Sequence, residues 1–446
     1  MKIELVKSNI NPVDLSVGSA RTCYSVELKT PESISKWDKK TSLLKDLFIS
    51  GHHTTLQHAT FTFLISGVSR LSIWRFFHSH RFYNSDQVSQ RYTRVQKNSF
   101  IYLNETTEQY NSQLMNNYER LVELLIPLYM NSKNKTEVKN AEKKAMENAR
   151  YILPQSIKAN LYHTINLSTL IRYYIISRES SNHDAGEEIR VIVDQMLLAV
   201  LSEYPELKSL FDIKYNPNIK NIYSNRMLDF YKKNKTCELI DHSNFEDIEY
   251  SFFEGDTAGL SALVNSELGT VNLKFNLKLS LSADAQNQRH RTAYGLRPKL
   301  NTLIKKEYYK NTENYYIPDI FNKSEEAMNI FKDSINMSID FIEKERKDFV
   351  KPYLLLNAFE IPIIEVNSGL DLIHKMGKRL CLNAQEEIIK LSWCMLAEIR
   401  NNKKLSKFAD LLAPPCVHRF NKKITPICPE GPRFCGVKEW KNKVYY

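Results

Sequence analysis

RFFHSHRFYNSDQVSQRY (Arg75–Tyr92) and QNQRHRTAYGLRP (Gln286–Pro298) are two versions of one pattern. Each is a polar run rich in arginine and histidine. Each follows a stretch of alternating character, ATFTFLIS (Ala59–Ser66) before the first and VNLKFNLKLS (Val271–Ser280) before the second. Alternation of period two predicts a strand with one buried face. A second matched pair lies further along. INLSTLIRYYIISR ends at Arg178 and VNSGLDLIHKMGKR ends at Arg379, and the apolar spacing of both suits an amphipathic helix. Glu-Glu-Ile follows each, at Glu187–Ile189 and Glu386–Ile388. His80 and His290 stand 210 residues apart, whereas Arg178 and Arg379 stand 201 apart, so loops have drifted while the order of elements is kept. The chain therefore reads as a tandem repeat. Each half has a strand region, a polar-basic loop and a long helical part, and the join falls in YNPNIKNIYSN (Tyr215–Asn225), which is rich in turn formers.

The composition sets limits on function. The 446 residues are 42% hydrophobic and 25% charged, which is enough apolar surface for two or three domains with real cores and rules out a disordered chain. The net charge of +11 favours anionic partners. It is spread through Lys- and Asn-rich surface such as Asn131–Lys144, with no continuous basic arm of the nucleic-acid type. Neither an apolar span of membrane length nor a leader pattern is found, so a cytoplasmic protein with reduced thiols is expected. Only 12 residues are glycine, and there is no Walker loop, no G-x-G-x-x-G and no G-x-S-x-G elbow. A nucleotide would have to be held by side chains and by the amides of non-glycine loops.

The first polar loop supplies such side chains. Arg75–Arg94 contains four Arg, two His, three Ser and two Tyr. Arginine offers a planar fork for phosphate or carboxylate. An exposed basic loop is the plain alternative, and recurrence of the cluster as Arg289–His290–Arg291 weighs against it. Arg178 and Arg190 lie among Glu179, Glu187 and Glu188, where ion pairing along a helix face competes with a ligand role.

These residues resemble one known family. ISGHHTTLQHATFTF (Ile49–Phe63) is similar to the G-H-[ES]-[ST]-P-F-E-H-x-x-F-T-F segment of flavin-dependent thymidylate synthases, and ARTCYS (Ala20–Ser25) to that family's opening. SHRFYNSDQVSQRY resembles its R-H-R-x7-S hallmark, with Arg81 and Ser89 correctly spaced and Arg91 following. The second half has an intact R-H-R preceded by Gln286, and RLCLNAQEEI (Arg379–Ile388) resembles the family's R-L-x-x-N-A-Q-W-E-I. The departures are complementary. Ser79 replaces the first Arg of the hallmark in the first half, which keeps Ser89 and Arg91. The second half keeps R-H-R but lacks the Ser-x-Arg. Arg150 has Pro352 as its counterpart, and SSNHDAGEEI lacks the Gln of NAQEEI.

The resemblance implies an α+β chain of two tandem domains (1–218 and 219–410), each a mixed or antiparallel sheet packed with long helices, followed by a tail, 411–446. It implies FAD as cofactor, dUMP as substrate, methylenetetrahydrofolate and NADPH as co-substrates, and one site divided between the halves. Ser89, Arg289 and Gln286 are the catalytic candidates. Arg91, Arg150 and Arg190, with Ser89, Gln286 and Arg289, would bind substrate. His52, Thr54, His80, Arg81, Arg289, His290, Arg291, Arg379 and Asn383 would bind flavin. The chain would dimerise in imitation of the family's tetramer, without membrane or nucleic-acid partners. A flavoenzyme acting on another pyrimidine nucleotide, and a non-catalytic nucleotide-binding homologue, remain alternatives.

None of the seven cysteines has a nucleophile context, and Cys23, Cys381 and Cys394 read as buried structural residues. In the tail, Cys416, His418, Cys428 and Cys435 form a Cys3His set chemically suited to Zn2+, although without C-x2-C spacing. Free thiols in a surface lid are the alternative.

Overall fold

A computed structural model of the chain describes residues 1–8, 10–79, 82–130, 135–179, 184–213, 225–233, 235–245 and 267–441. His80, Arg81 and the proposed domain join lie outside them. Among the described residues no helix is long and apolar enough to cross a membrane.

Two four-stranded antiparallel sheets carry the repeat. In the first, β1 (Lys2–Val6), β2 (Thr60–Ser69), β3 (Tyr83–Gln87) and β4 (Lys158–Asn166) take the order β1-β2-β4-β3. In the second, β5 (Cys237–His242), β6 (Asn272–Ser280), β7 (Tyr294–Leu296) and β8 (Glu360–Ser368) take the order β5-β6-β8-β7. The expected strands are β2 and β6. The sequence reading passed over β4 and β8, which enter each sheet from far along the chain and lie at its centre. KANLYHTIN alternates clearly, but it follows two long helices, Glu105–Tyr129 and Lys135–Ala149. EIPIIEVNS is too continuously apolar for a period-two signal, because both faces of that strand are largely covered.

Both amphipathic helices form as expected. Asn166 caps Leu167–Arg178 by accepting from Thr169 N, and Ser368 caps Gly369–Arg379 by accepting from Asp371 N. The halves join through a pseudo-two-fold seam. Gln155 N donates to Leu355 O (3.0 Å) and Asn357 N donates to Leu153 O (2.8 Å). Ser156 N donates to Tyr353 O (3.1 Å) and Ala358 N donates to Tyr151 O (2.8 Å). Helices Glu105–Tyr129 and Glu325–Lys344 pack across it, with Asn117 donating to Ser334 Oγ at 3.0 Å.

The outer face of the first sheet is open, with Val6, Tyr162 and Val88 exposed. The short helix Asn225–Tyr231 packs on β8 and β6 in the second half, where Phe230 and Tyr231 are buried.

Candidate active site

The site begins where strand turns into helix. Ser69 ends β2 and caps Arg70–Arg75; Ser280 ends β6 and caps Leu281–Asn287. Each cap is gripped by the second glutamate of a Glu-Glu-Ile motif. Ser69 N and Oγ donate to Glu188 at 2.7 and 2.5 Å, and Ser280 N and Oγ donate to Glu387 at 2.6 Å each. A tyrosine of the opposite half completes each grip: Tyr353 Oη donates to Glu188 (2.9 Å) and Tyr151 Oη donates to Glu387 (2.7 Å). These glutamates therefore fix the direction in which the helix delivers the following polar loop.

In the second half that loop, together with the end of helix Gly369–Arg379, opens a cavity of about 300 Å³. Arg91 comes from the first half; Gln286, Arg289, His290, Arg379 and Asn383 come from the second. Arg91 ion-pairs with Glu147 and donates to Asn383 O at 2.9 Å. Arg379 donates to Gln286 O at 2.9 Å. Burial, with Arg289 and Arg91 nearby, lowers the Arg379 guanidinium to about 10, so it stays charged at neutral pH. Among the described residues the lining holds four cations, Arg91, Arg289, Lys378 and Arg379, against one carboxylate, Glu430. Such a cavity attracts an anion.

A second cavity, of about 280 Å³, adjoins the first through His290, which lines both. His78, Tyr83 and Arg172 of the first half face Arg291, Tyr294 and Arg297 of the second. Arg291 donates to Asn84 Oδ1 (2.5 Å) and Ser85 O (3.1 Å), and its guanidinium lies 4.7 Å from the centre of the Tyr83 ring. Burial and the neighbouring Arg379 and Lys375 pull the His290 imidazole down to about 2, so it is neutral at working pH. Glu365 lines the cavity too. Burial pushes its carboxyl up, but the buried Lys375 ion pair and hydrogen bonds from Asn367 and Asn287 outweigh that and hold it down. The corresponding positions in the first half are His163 and Tyr173, a buried pair with Nε2 and Oη 3.1 Å apart.

Among the described residues, several buried polar atoms around these cavities have no hydrogen-bond partner: Gln286 Oε1, Arg379 Nε, His290 Nε2, Asn287 Oδ1, Gln288 Oε1 and Arg291 Nε. Leaving one such group unsatisfied costs about 1–3 kcal/mol. A cluster of them on two cationic cavities fits polar, anionic ligands.

The pseudo-symmetric counterpart of the first cavity is built differently. Asn383 stands four residues before Glu387, and Asp184 stands four before Glu188. Gln286 stands six after its cap Ser280, and Arg75 six after Ser69. Asp184 is fully buried. Its carboxylate accepts from Leu300 N (2.9 Å) and Asn301 N (3.0 Å) and faces Arg75 Nε at 3.5 Å. Here the residue in the place of Asn383 is a buried carboxylate held by two backbone amides beside an arginine.

Other expected site residues lie elsewhere. Ser89 lines neither cavity and buttresses the loop, accepting from Arg91 N at 3.3 Å. Arg150 is buried behind the wall and donates to Gln385 Oε1 at 2.6 Å. Arg190 is on an exposed helix face, paired with Glu187 at 2.6 Å and Asp194 at 3.7 Å; the ion-pairing reading holds there because neighbours one turn away satisfy it. His52 and Thr54 sit exposed beyond helix Lys40–Ile49 and line neither cavity.

Two cysteine readings are corrected. Cys23 is exposed, lying past the last buried residue of helix Pro12–Thr22, Cys381 and Cys394 are half-buried, and the buried cysteines are Cys237 and Cys416. The zinc set does not assemble. Among the described residues no group of three or more His, Cys, Asp or Glu is placed to hold a metal. Cys416 and His418 are two apart on helix Pro415–Asn421, so their side chains diverge, and Cys435 Sγ donates to Val437 O at 3.4 Å.

The sequence reading missed Glu147, Gln385, Asp184 and the tail residues at the first cavity. Gln385 stood inside the N-A-Q-E-E-I motif and was available; Glu147 is one of many helix glutamates and carried no signal.

The family described as thymidylate synthase complementing protein matches residues 4–206 and 259–402, one segment in each half. The flavin-dependent thymidylate synthase of Clostridium tetani is 30% identical over 217 residues, covering 46% of this chain and 85% of that protein. The enzyme of the same name from Nitratidesulfovibrio vulgaris is 28% identical over 213 residues, covering 46% and 84%. Among solved structures, thymidylate synthase X from Helicobacter pylori with FAD and dUMP is 22% identical, with a TM-score of 0.35, covering 48% of this chain and 98% of that one. A UMP/dUMP methylase from Streptomyces cacaoi bound with 5-Br dUMP is 20% identical, with a TM-score of 0.34, covering 47% and 94%. With more than half of its length matched, and both halves contributing, the chain belongs to the thymidylate synthase complementing protein family.

Proposed function

We propose that this chain is a flavin-dependent thymidylate synthase. It would convert dUMP to dTMP with methylenetetrahydrofolate as one-carbon donor and NADPH as reductant, using one composite site per chain. The observation that carries the reading is the first cavity, where Arg91 of one half meets Gln286, Arg289, Arg379 and Asn383 of the other. The missing Ser-x-Arg of the second half and the missing Arg at Ser79 of the first compensate for each other there. Asp184 supports a single site, since it fills the counterpart from within.

The lining of the adjoining cavity suits the polar and anionic groups of FAD. Among the described residues, His290, Arg291, Asn287 and Gln288 each bring an unpartnered buried polar atom to it, and Arg172 and Arg291 supply positive charge, whereas the charge of Arg297 is taken up by Asp284. When bound, the flavin supplies the redox chemistry of the methylation. The chain's own residues do the rest. Arg91, held by Glu147, and the loop buttressed by Ser89 bind the nucleotide phosphate. Arg150 acts from behind the wall by holding Gln385. Gln286 and Arg289 face the pyrimidine and stabilise the negative charge on its ring and carbonyl oxygens that makes C5 nucleophilic. Neutral His290, shared by both cavities, contributes one ring donor and one ring acceptor between nucleotide and flavin. By this reading the tandem chain forms a homodimer.

The test is the visible spectrum of purified protein titrated with FAD and then dUMP. Two flavin bands perturbed by dUMP are expected, followed by dTMP formation. Arg291→Ala should weaken flavin binding at least about tenfold, and Arg91→Ala should weaken dUMP binding by a similar factor with the flavin retained. Absence of flavin binding at any concentration would sink the reading.

A further inference from the structure

We infer that the C-terminal tail, from Pro414 to Arg433, is a working wall of the nucleotide site, and that Glu430 in it selects nucleoside monophosphates over triphosphates. This rests on the function proposed above. The family match stops at residue 402, so the wall comes from sequence beyond it. The segment is nonetheless built in. Cys416 and Val417 are buried, and Phe420 and Phe434 pack on the buried Trp440 with ring centres 6.5 and 5.9 Å away. Arg419 Nε donates to Pro426 O at 2.7 Å, Ile424 N donates to Arg419 O at 2.9 Å, and Asn383 Nδ2 donates to Arg433 O at 2.5 Å. The last of these ties the tail to the same asparagine whose carbonyl receives Arg91.

Pro414, Pro415, Cys416, Cys428, Pro429 and Glu430 line the cavity together with its four described cations. Proline brings no N–H, so this side adds rigid apolar surface and leaves phosphate recognition to the arginines. Glu430 is the carboxylate among the described lining residues. A carboxylate among cations penalises a ligand in proportion to the ligand's charge. A monophosphate brings about two negative charges and a triphosphate about four, so the penalty roughly doubles in free energy. The cations outweigh it for the first and do so less well for the second.

The experiment uses the full-length protein, iodoacetamide and peptide mass mapping, with and without saturating dUMP. Cys428 alkylation should slow at least about fivefold with dUMP. Cys23, exposed and remote in sequence, and Cys435, in the tail but not on the cavity, are internal controls. Bound dUMP, seen by calorimetry, with an unchanged Cys428 rate overturns the wall and leaves the proposed function standing. Equal slowing of Cys435 means general ordering of the tail and also overturns it. No dUMP binding at all overturns the function and this inference together. The charge argument has its own readout: Glu430→Gln should tighten dUMP about threefold and dUTP about tenfold. Equal effects on the two nucleotides would overturn the selectivity.

Discussion

Glu387 is the residue on which most of the site's geometry converges. It accepts from Ser280 twice and from Tyr151, and through Tyr151 it reaches Gln385 and Arg150. Burial, reinforced by Glu360, raises its carboxyl to about 7 against the donors that favour the anion. Its pKa is thus higher folded than unfolded. Below about pH 4.5 both states hold the proton and the residue contributes no pH dependence. Between about pH 4.5 and about pH 7 the unfolded chain releases the proton while the folded chain retains it, so stability falls as pH rises, by up to about 3 kcal/mol. Glu387→Gln removes this term. Thermal midpoints of the variant should fall less than those of the parent across that window, and parallel pH profiles would refute the assignment.

At the scale of elements, the two tyrosine grips differ in a way that the repeat alone would not suggest. Glu188 keeps Ser69 N–H, Ser69 Oγ and Ser72 Oγ as donors when Tyr353 is lost, and it is only half-buried. Glu387 has Ala283 where Ser72 would correspond, so losing Tyr151 leaves Ser280 alone and also frees Gln385 and Arg150. Tyr151→Phe should therefore cost about 1.5–3 kcal/mol in denaturant unfolding, and Tyr353→Phe less than about 1.5 kcal/mol. Nucleotide affinity should drop only in the first, because only that grip leads to the open cavity. The opposite order of costs would mean that the Ser72 hydroxyl does not compensate.

For the whole molecule, the consequence is stoichiometric. A duplicated chain with two working sites would bind two nucleotides. With Asp184 occupying the counterpart, one dUMP per chain is expected from isothermal titration. A value of two would contradict the internal carboxylate's role. Light scattering should give a homodimer, holding two sites where a tetramer of single-domain subunits holds four; a stable, active monomer would remove that analogy. The open face of the first sheet, with Val6, Val88 and Tyr162 exposed, is the surface such an assembly has available.

The sequence by itself determined the repeat, the two strands with period-two alternation and the two amphipathic helices, and it marked Arg91, Gln286, Arg289, Arg379 and Asn383 as candidates. Each of these leaves a local mark, as periodicity, as a cap or as a dense run of polar chemistry. Tertiary structure alone decided what depends on long-range placement. It put β4 and β8 at the sheet centres and brought Arg91 to Asn383 across 292 residues. It withdrew Arg150 behind Gln385, left Arg190 to its helix neighbours, scattered the zinc set and folded the tail over the cavity. The physical reason is one of range. Propensity and periodicity act within a turn or a strand, whereas a site made by two halves depends on packing whose partners the sequence does not mark. Asp184 shows the limit most sharply. In the sequence it is one acid before a glutamate pair, and only the folded chain gives it the two amides and the arginine that hold its carboxylate.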